Sequence, residues 1–143
     1  MDLAATLDAP CSPGELFAWV DDLERYPEWH TIVTRAVPDG AAAWTVDLRG
    51  RVGPLARSKR LRMERVVLEP DRRAVFQRAE RDERHHADWV LRAAVEPSGD
   101  GSRLVMDLHY GGGLWGPVLE RLLRDEIEQS RRRLLDLVSG RTR

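Results

Sequence analysis

Histidine is the side chain in this chain best suited to moving a proton near neutral pH. His30 follows Trp29, directly after a short helical segment and just before the predicted sheet. Its ordinary pKa of about 6.5 suits general acid or base work on a carbonyl compound, provided that the ring points into a pocket. A histidine without an orienting partner is more often an edge or surface residue, so both interpretations stand.

Strand alternation places further polar groups on an inward face. In the predicted strand 85–95, the alternate residues that begin with His85 and Trp89 are far more apolar than their neighbours. In the last strand, Met106 and Tyr110 belong to the more apolar set in the same way. We therefore predict that these four side chains face a pocket, in which His85 and Tyr110 are catalytic candidates beside His30.

No metal site and no cofactor are expected. Adjacent residues of a strand face opposite ways, so His85 and His86 cannot share one ion, and His86 is assigned to solvent together with His109. Cys11 is the only cysteine, which excludes an internal disulfide and a thiolate zinc cluster. The chain contains no phosphate-binding glycine loop, dinucleotide fingerprint or nucleophile elbow.

The strand predicted over 55–68 is dense in positive charge, and alternation leaves neither of its faces cleanly apolar. At least one of its arginines is therefore a candidate for the pocket mouth, and Arg60 is the choice. An inward guanidinium would hold an enolate, carboxylate or phenolate oxygen through charge-assisted hydrogen bonds. In the alternative interpretation, these arginines are exposed and pair across strands with Asp47, Glu64 or Glu80.

The five tryptophans outnumber the tyrosines and phenylalanines of the chain. Several should belong to the core, since indoles on helices and strands are usually buried. Rigid indoles with a few polar groups are also typical of a small-molecule pocket, and Trp89 and Trp115 are predicted to line one. Trp29 joins them as the neighbour of His30.

Sequence periodicity predicts the elements that position these residues. A first strand covers Asp2–Ala9, and Ser12 begins a short helix through a capping box. A second helical turn follows over 23–26, which Pro27 ends or bends. Period-two segments then predict six strands at 31–37, 42–49, 55–68, 74–80, 85–95 and 103–110. A long amphipathic helix closes the chain at Gly140, and its apolar stripe contains Trp115, Leu119 and Leu122.

Composition limits the classes of function. A chain of 143 residues is the size of one domain, assigned here to residues 1–140 with a frayed tail at 141–143. A charged fraction of 33% with a net charge of −1 does not suit a nucleic-acid binder or a polybasic membrane anchor. The chain has no predicted signal peptide and no stretch for stable membrane insertion, so the cytoplasm is the expected location; the oligomeric state stays open.

The order of elements and several local motifs resemble the START-like, or SRPBCC, superfamily. The motifs are Asp8-Ala9-Pro10 before the first helix, the segment 22–29 with Tyr-Pro-Glu-Trp at its end, Leu68-Glu69-Pro70 at a strand end, and the glycine-rich loop before the last helix. The resemblance covers about 2–138. It implies an α+β helix-grip fold, in which a curved seven-stranded antiparallel sheet wraps around the C-terminal helix and leaves a hydrophobic pocket.

The superfamily includes lipid-transfer proteins, pollen-allergen-type proteins and polyketide cyclases or aromatases, so the resemblance implies a pocket more firmly than a reaction. The first hypothesis is the binding of a hydrophobic small molecule, such as a lipid or a polyketide-like aromatic. The second is an aldol cyclase, aromatase or dehydratase that acts mainly by positioning a substrate, with an arginine in the role that such members give it. The third is a protein-interaction module. The predicted ligand-binding residues are Trp29, His30, Arg60, His85, Trp89, Met106, Tyr110, Trp115, Leu119 and Leu122.

Overall fold

The computed structural model describes residues 2–52, 55–111 and 116–140, with side chains omitted at 51, 52, 55, 57 and 116–119. Seven antiparallel strands form one curved sheet in the order β1-β7-β6-β5-β4-β3-β2. Two short helices follow β1, and a long helix ends the described chain. The predicted helix-grip architecture is confirmed. Its elements are β1 Asp2–Ala9, α1 Pro13–Phe17, a 3₁₀ helix Leu23–Glu28, β2 Val33–Pro38, β3 Ala43–Val52, β4 Leu55–Glu69, β5 Arg73–Arg78, β6 Trp89–Ser98, β7 Gly101–Tyr110 and α2 Gly116–Val138.

Local chemistry explains the two short helices. The Ser12 hydroxyl accepts a hydrogen bond from the Glu15 N–H at 3.2 Å, and Pro13 occupies the first turn, as the capping box predicts. Asp22 caps the 3₁₀ helix in the same way through the Glu24 N–H. Of the two outcomes predicted for Pro27, an end or a bend of this helix, the helix does not end there: Pro27 lies inside it, one residue before its last residue.

The concave face of the sheet holds the main core. Phe76 on β5 is fully buried and meets the Tyr26 and Trp44 rings edge-on, with centroids 6.3 and 5.7 Å away. The Tyr26 hydroxyl donates to the Val20 carbonyl oxygen at 2.9 Å, so the buried phenol is satisfied. These contacts fix the two short helices against one end of the sheet.

Close backbone approach explains two glycines. A Cβ on Gly101 would lie 2.1 Å from the Ala9 carbonyl oxygen, so only glycine lets the start of β7 pass the end of β1. A Cβ on Gly50 would lie 2.4 Å from a methyl group of Leu122, which shows that the distal part of β3 packs directly on α2. No helix among the described residues combines the length and the apolar character that crossing a bilayer requires.

Candidate functional site

A cavity lies between the β1–β7 edge of the sheet and α2. Its floor consists of three cross-strand pairs that share one face: Leu3 with Leu108, Ala5 with Met106, and Leu7 with Leu104. Alternation explains this arrangement, because every second residue of each strand points to the same side of the sheet. The floor is therefore apolar along its whole length.

The roof of the cavity is one stripe of α2. Leu123, Ile127, Ser130, Arg131 and Leu134 line it, at spacings of three and four residues that bring them to one side of a helix. Leu134 is 1% exposed and also belongs to the main core. Arg131 lies at the rim, where its Nε donates to the Thr6 carbonyl oxygen at 2.8 Å. The inward stripe of α2 and the inward faces of β1 and β7 thus enclose one cavity.

Trp29 and His30 close one end of the cavity. The Trp29 and His30 amides both donate to the Tyr26 carbonyl oxygen, at 3.0 and 2.7 Å. The Trp29 indole N–H donates to the Trp19 carbonyl oxygen at 3.0 Å. The end of the 3₁₀ helix therefore holds both rings in place.

A polar seam joins α2 to the chain directly after His30. The Thr31 amide donates to the Ser130 Oγ at 3.0 Å, and the Ser130 hydroxyl donates to the Glu126 carbonyl oxygen at 2.8 Å. The Thr31 hydroxyl also bonds the Glu126 carboxylate. Because Ser130 is 2% exposed, these bonds are shielded from water and fix the position of this part of the helix.

Replacing Ser130 with alanine should destabilise the protein by about 1 to 3 kcal/mol, because the Thr31 amide would lose its acceptor in a shielded site. Urea unfolding followed by circular dichroism measures this change. Ser139→Ala is the matched control, since the buried Ser139 hydroxyl has no hydrogen-bond partner among the described residues. Its removal should leave the free energy of unfolding within about 0.5 kcal/mol. Equal losses in both variants would contradict the role given to the seam.

Burial and the nearby Arg133 guanidinium lower the pKa of His30 to about 4. The ring is thus neutral at pH 7. Its Nδ1 accepts a hydrogen bond from the Ile32 amide at 3.4 Å, which leaves the proton on Nε2. A neutral imidazole of this tautomer can donate a hydrogen bond to a carbonyl oxygen, but it is a poor acceptor of a second proton.

The stability of the protein should depend on His30 between about pH 6.5, the ordinary pKa of histidine, and about pH 4, the lowered value in the folded chain. In this range the unfolded state binds the extra proton, so stability is present above pH 6.5 and is lost as the pH falls. We expect His30 to contribute about 1 to 3 kcal/mol to this loss. Urea unfolding of the wild type and His30→Phe across this range isolates the term, and parallel curves would contradict it.

The cavity has a volume of about 80 Å³. Sites for drug-sized ligands usually measure roughly 300–1,000 Å³. A lipid or a polycyclic aromatic therefore requires the cavity to widen. The side-chain hydrogen bonds described above hold α2 from Glu126 onward, whereas the contact of Leu122 with Gly50 in the first half of the helix is apolar.

The structure brings three of the predicted site residues to this cavity: Trp29, His30 and Met106. Trp29 is 3% exposed and Met106 is partly buried beside the core. Their roles in binding stay predictions. Their common location follows from the pairing of β7 with β1, which places Met106 opposite Ala5.

The inward placement of His85 is wrong. His85 is exposed and precedes β6, which begins only at Trp89. Polar contacts hold the intervening run in irregular structure: Arg78 Nε bonds the Glu80 carboxylate at 2.7 Å, and His86 Nε2 contacts the Asp82 carboxylate at 2.7 Å. His86 is consequently half-buried rather than fully in solvent. Among the described residues, no three His, Cys, Asp or Glu side chains converge into a set that could hold a metal ion.

The inward placement of Arg60 is also wrong. Its side chain is 69% exposed and binds the Asp47 carboxylate with two hydrogen bonds of 2.7 and 3.1 Å, as the alternative interpretation expects. The opposite face of β4 is the concave one, since Leu61 and Met63 are buried there. Among the described arginine side chains of β4, the one on the concave side is Arg65, which donates to the Asp21 carbonyl oxygen at 2.8 Å, away from the cavity.

Five other predicted residues lie elsewhere or outside the described part of the chain. Trp89 and Tyr110 are buried and pack on each other, with ring centroids 4.7 Å apart, but neither lines the cavity described above. Trp115 and the side chain of Leu119 lie outside the described residues. Leu122 is half-buried against Gly50, and Leu123 takes the expected place in the roof.

Sequence reasoning left the cavity's β1 floor and Ser130 out of the site. Ser130 had a visible signal: it is a polar residue on the apolar stripe of the helix, between Ile127 and Leu134. Leu3, Ala5 and Leu7 share one face of the first strand in the sequence. That face becomes part of a site only through the pairing of β1 with the last strand, which the sequence does not display.

Comparison with known families gives one full-length match. Residues 2–138 match the model of the family described as polyketide cyclase / dehydrase and lipid transport. No curated protein matches the chain.

Solved structures share the fold at low sequence identity. A conserved protein from Geobacillus kaustophilus is 10% identical with a TM-score of 0.76, and the match covers 98% of this chain and 96% of that one. A START superfamily protein from Mycobacterium smegmatis is 16% identical with a TM-score of 0.73 and 99% coverage of both chains. The di-domain ARO/CYC StfQ from the steffimycin biosynthetic pathway is 15% identical with a TM-score of 0.69, over 98% of this chain and 51% of that one.

Proposed function

Since the chain belongs to the polyketide cyclase / dehydrase and lipid transport family, we propose that it binds a neutral, hydrophobic small molecule between the β1–β7 floor and α2. The observation that carries this proposal is the matched floor and roof. Three apolar cross-strand pairs face Leu123, Ile127 and Leu134 of α2, with a space left between them. Such a space favours apolar ligands, because it offers few hydrogen bonds to replace those a polar molecule makes with water.

The polar groups of the cavity support a neutral ligand. His30 carries no charge at pH 7, and Ser130 is already bound to Thr31 and Glu126. Arg131 uses its guanidinium at the rim on Thr6 and Glu128. A ligand carbonyl or hydroxyl oxygen would accept a hydrogen bond from the His30 Nε2–H, which gives orientation without a charge pair.

Ligand entry in this proposal moves the first half of α2. A space of about 80 Å³ must grow several-fold to accept a lipid or an aromatic polyketide. The half of α2 after Glu126 is fixed by its hydrogen bonds to Thr31, Thr6 and Glu28. In the part of α2 before Glu126 whose side chains the structure describes, Leu122 makes an apolar contact with Gly50. Such a contact can be exchanged for one with a ligand at little cost.

A cyclase or dehydratase is the second candidate, and His30 is the observation that favours it. The ring lines the cavity and can polarise a carbonyl through Nε2–H, which assists an intramolecular aldol reaction by orientation and hydrogen bonding. Its lowered pKa argues against proton abstraction as its role. If the protein binds a poly-carbonyl compound but does not convert it to a cyclised or dehydrated product, the cyclase candidate is excluded and the binding function is retained.

Native mass spectrometry of the protein purified from its own host tests the proposal. We expect the native mass to exceed the mass of the chain, and denaturation to release the difference as an apolar small molecule. A neutral apolar dye, N-phenyl-1-naphthylamine, should bind the emptied protein and be displaced by that molecule. A protein that carries no added mass and does not bind the dye would overturn the proposal. We also propose that the protein binds its ligand in the cytoplasm.

A further inference from the structure

The distal part of the β3–β4 hairpin carries a positive charge that ligand binding in the cavity does not use. We call residues 47–62 the basic hairpin. It contains six Lys or Arg side chains and one carboxylate, a net charge of +5, so the remaining 127 residues together carry −6. A chain that is almost neutral as a whole is thus strongly polarised.

The cations follow one another along the ladder. Four successive cross-strand pairs each contain one cation and no acid: Leu48 with Lys59, Arg49 with Ser58, Gly50 with Arg57, and Arg51 with Ala56. At about 3.3 Å per residue these pairs span roughly 10 Å, which is about one Debye length at physiological salt. These four positions therefore lie within about one Debye length of one another along the ladder.

Two cations of the basic hairpin are engaged and two are free among its described side chains. Arg60 binds Asp47, and Arg62 is 8% exposed between Asp39 and Glu64. Arg49 and Lys59 are exposed, and neither forms an ion pair with a described carboxylate. These two are available to an external anion.

A surface depression lies beside Arg49, on the face of the hairpin that carries Arg60. It has a volume of about 390 Å³, and its wall includes Arg49, Ser58 and Arg60 together with the Asp47 carboxylate that Arg60 binds. The Lys59 side chain points to the concave face, as Leu61 does. Cationic and hydroxyl donors around one depression are the groups that bind phosphate oxygens. The Thr34 hydroxyl at its margin is already used on the Asp47 carbonyl oxygen, at 3.2 Å.

The position of the basic hairpin relates it to the cavity. Gly50 packs on Leu122, so the hairpin lies against the half of α2 that moves in the proposed ligand entry. A cationic hairpin beside the entry to an apolar site suits an anionic headgroup layer.

We propose that the basic hairpin docks the protein on an anionic lipid surface, from which the apolar ligand is taken up or to which it is delivered. The exchange of ligand with the surface rests on the proposed function, whereas the docking itself depends only on the cations of the basic hairpin. A protein partner is disfavoured, because stable protein interfaces have an apolar centre, and the large apolar side chains that are exposed in the described chain, Val37, Val66 and Leu68, lie outside the hairpin.

Vesicle sedimentation tests the docking. Sucrose-loaded vesicles of phosphatidylcholine with phosphatidylglycerol should pull down the wild-type protein at low salt, whereas vesicles of phosphatidylcholine alone should not. Each cation near a lipid surface is worth about a fivefold change in partitioning, so the double variant Arg49→Gln/Lys59→Gln should bind about 25-fold more weakly. High salt should abolish the binding of the wild type.

The matched control is Arg72→Gln/Arg73→Gln, which removes the same charge at the β4–β5 turn, at the opposite end of β4. It should bind as the wild type does. Equal weakening in both double variants, or no binding of the wild type to anionic vesicles, would overturn the inference. Binding to soluble polyglutamate without binding to vesicles would also overturn it and would indicate an acidic protein partner.

Ligand binding in solution separates this inference from the proposed function. Arg49→Gln/Lys59→Gln should bind N-phenyl-1-naphthylamine as tightly as the wild type, because neither residue lines the cavity. Lost docking with the dye still bound is the expected result for this variant. Dye binding by a wild type that ignores anionic vesicles would remove the docking proposal alone, and docking without dye binding would remove the cavity proposal alone.

Discussion

Ala5→Leu should weaken the binding of N-phenyl-1-naphthylamine by about 10- to 100-fold, because overpacking a site costs roughly 1–3 kcal/mol. Ala5 lies in the middle of the cavity floor, directly opposite Met106, and the leucine adds three carbon atoms to a space of about 80 Å³. The free protein should be at least as stable as the wild type, since the new side chain fills a void. Fluorescence titration gives the dissociation constant, and urea unfolding gives the stability.

Ala94→Leu is the control for this substitution. Ala94 neighbours the fully buried Ala93 on β6 but points to the other side of the sheet, so the same chemical change leaves the cavity untouched. The dissociation constant of this variant should equal that of the wild type. Unchanged dye binding in a folded Ala5→Leu protein would show that the ligand lies elsewhere.

Leu134→Ala should lower the free energy of unfolding by about 2 to 5 kcal/mol, as other large-to-small core substitutions do. Leu134 is 1% exposed and belongs both to the main core and to the cavity roof. Its truncation enlarges the cavity from the roof. Dye binding should therefore persist or tighten in a protein that is clearly less stable, which distinguishes a cavity residue from an ordinary core residue.

Leu68→Ala provides the comparison for Leu134→Ala. Leu68 is 43% exposed at the end of β4, so its truncation should cost less than about 1 kcal/mol and leave dye binding unchanged. Chemical unfolding and fluorescence titration of both variants measure the two effects. A Leu134→Ala protein that unfolds like the wild type would show that α2 does not grip the sheet as described.

The fold was predictable because its signals are local. Period-two alternation marks the strands, and the terminal helix carries its stripe over the whole length that the structure gives it. A predicted strand boundary was wrong where side-chain hydrogen bonds and ion pairs hold residues outside the sheet. The predicted strand 85–95 began too early, because the Arg78–Glu80 and His86–Asp82 contacts hold the residues before Trp89 outside the ladder.

The orientation of β4 could not be predicted from its own residues. Its faces carry similar mixtures of arginine and apolar side chains, and a register shift between Arg65 and Val67 changes the alternation near its end. What decides the orientation is outside the strand. Asp47 on β3 engages Arg60, and the core around Trp44 receives Leu61 and Met63.

The candidate site was only partly predictable, because the cavity depends on which strands pair with each other and on how α2 packs on them. Trp29, His30 and Met106 were expected near a pocket, and the structure places them around one space. The other residues of the floor, on β1, reach the same cavity only because the first strand of the chain pairs with the last. They are Leu3, Ala5 and Leu7. The volume left under α2 results from the packing of both layers and has no counterpart in any single segment.

Methyl-selective NMR of methionine tests the central claim most directly. The chain has three methionines, of which Met106 lines the cavity and Met63 is buried on β4 outside it. Titration of methyl-labelled protein with N-phenyl-1-naphthylamine should shift the Met106 methyl signal strongly, through ring currents of the bound dye, and leave the Met63 signal nearly unchanged. Saturable dye binding that leaves Met106 unmoved would contradict the account.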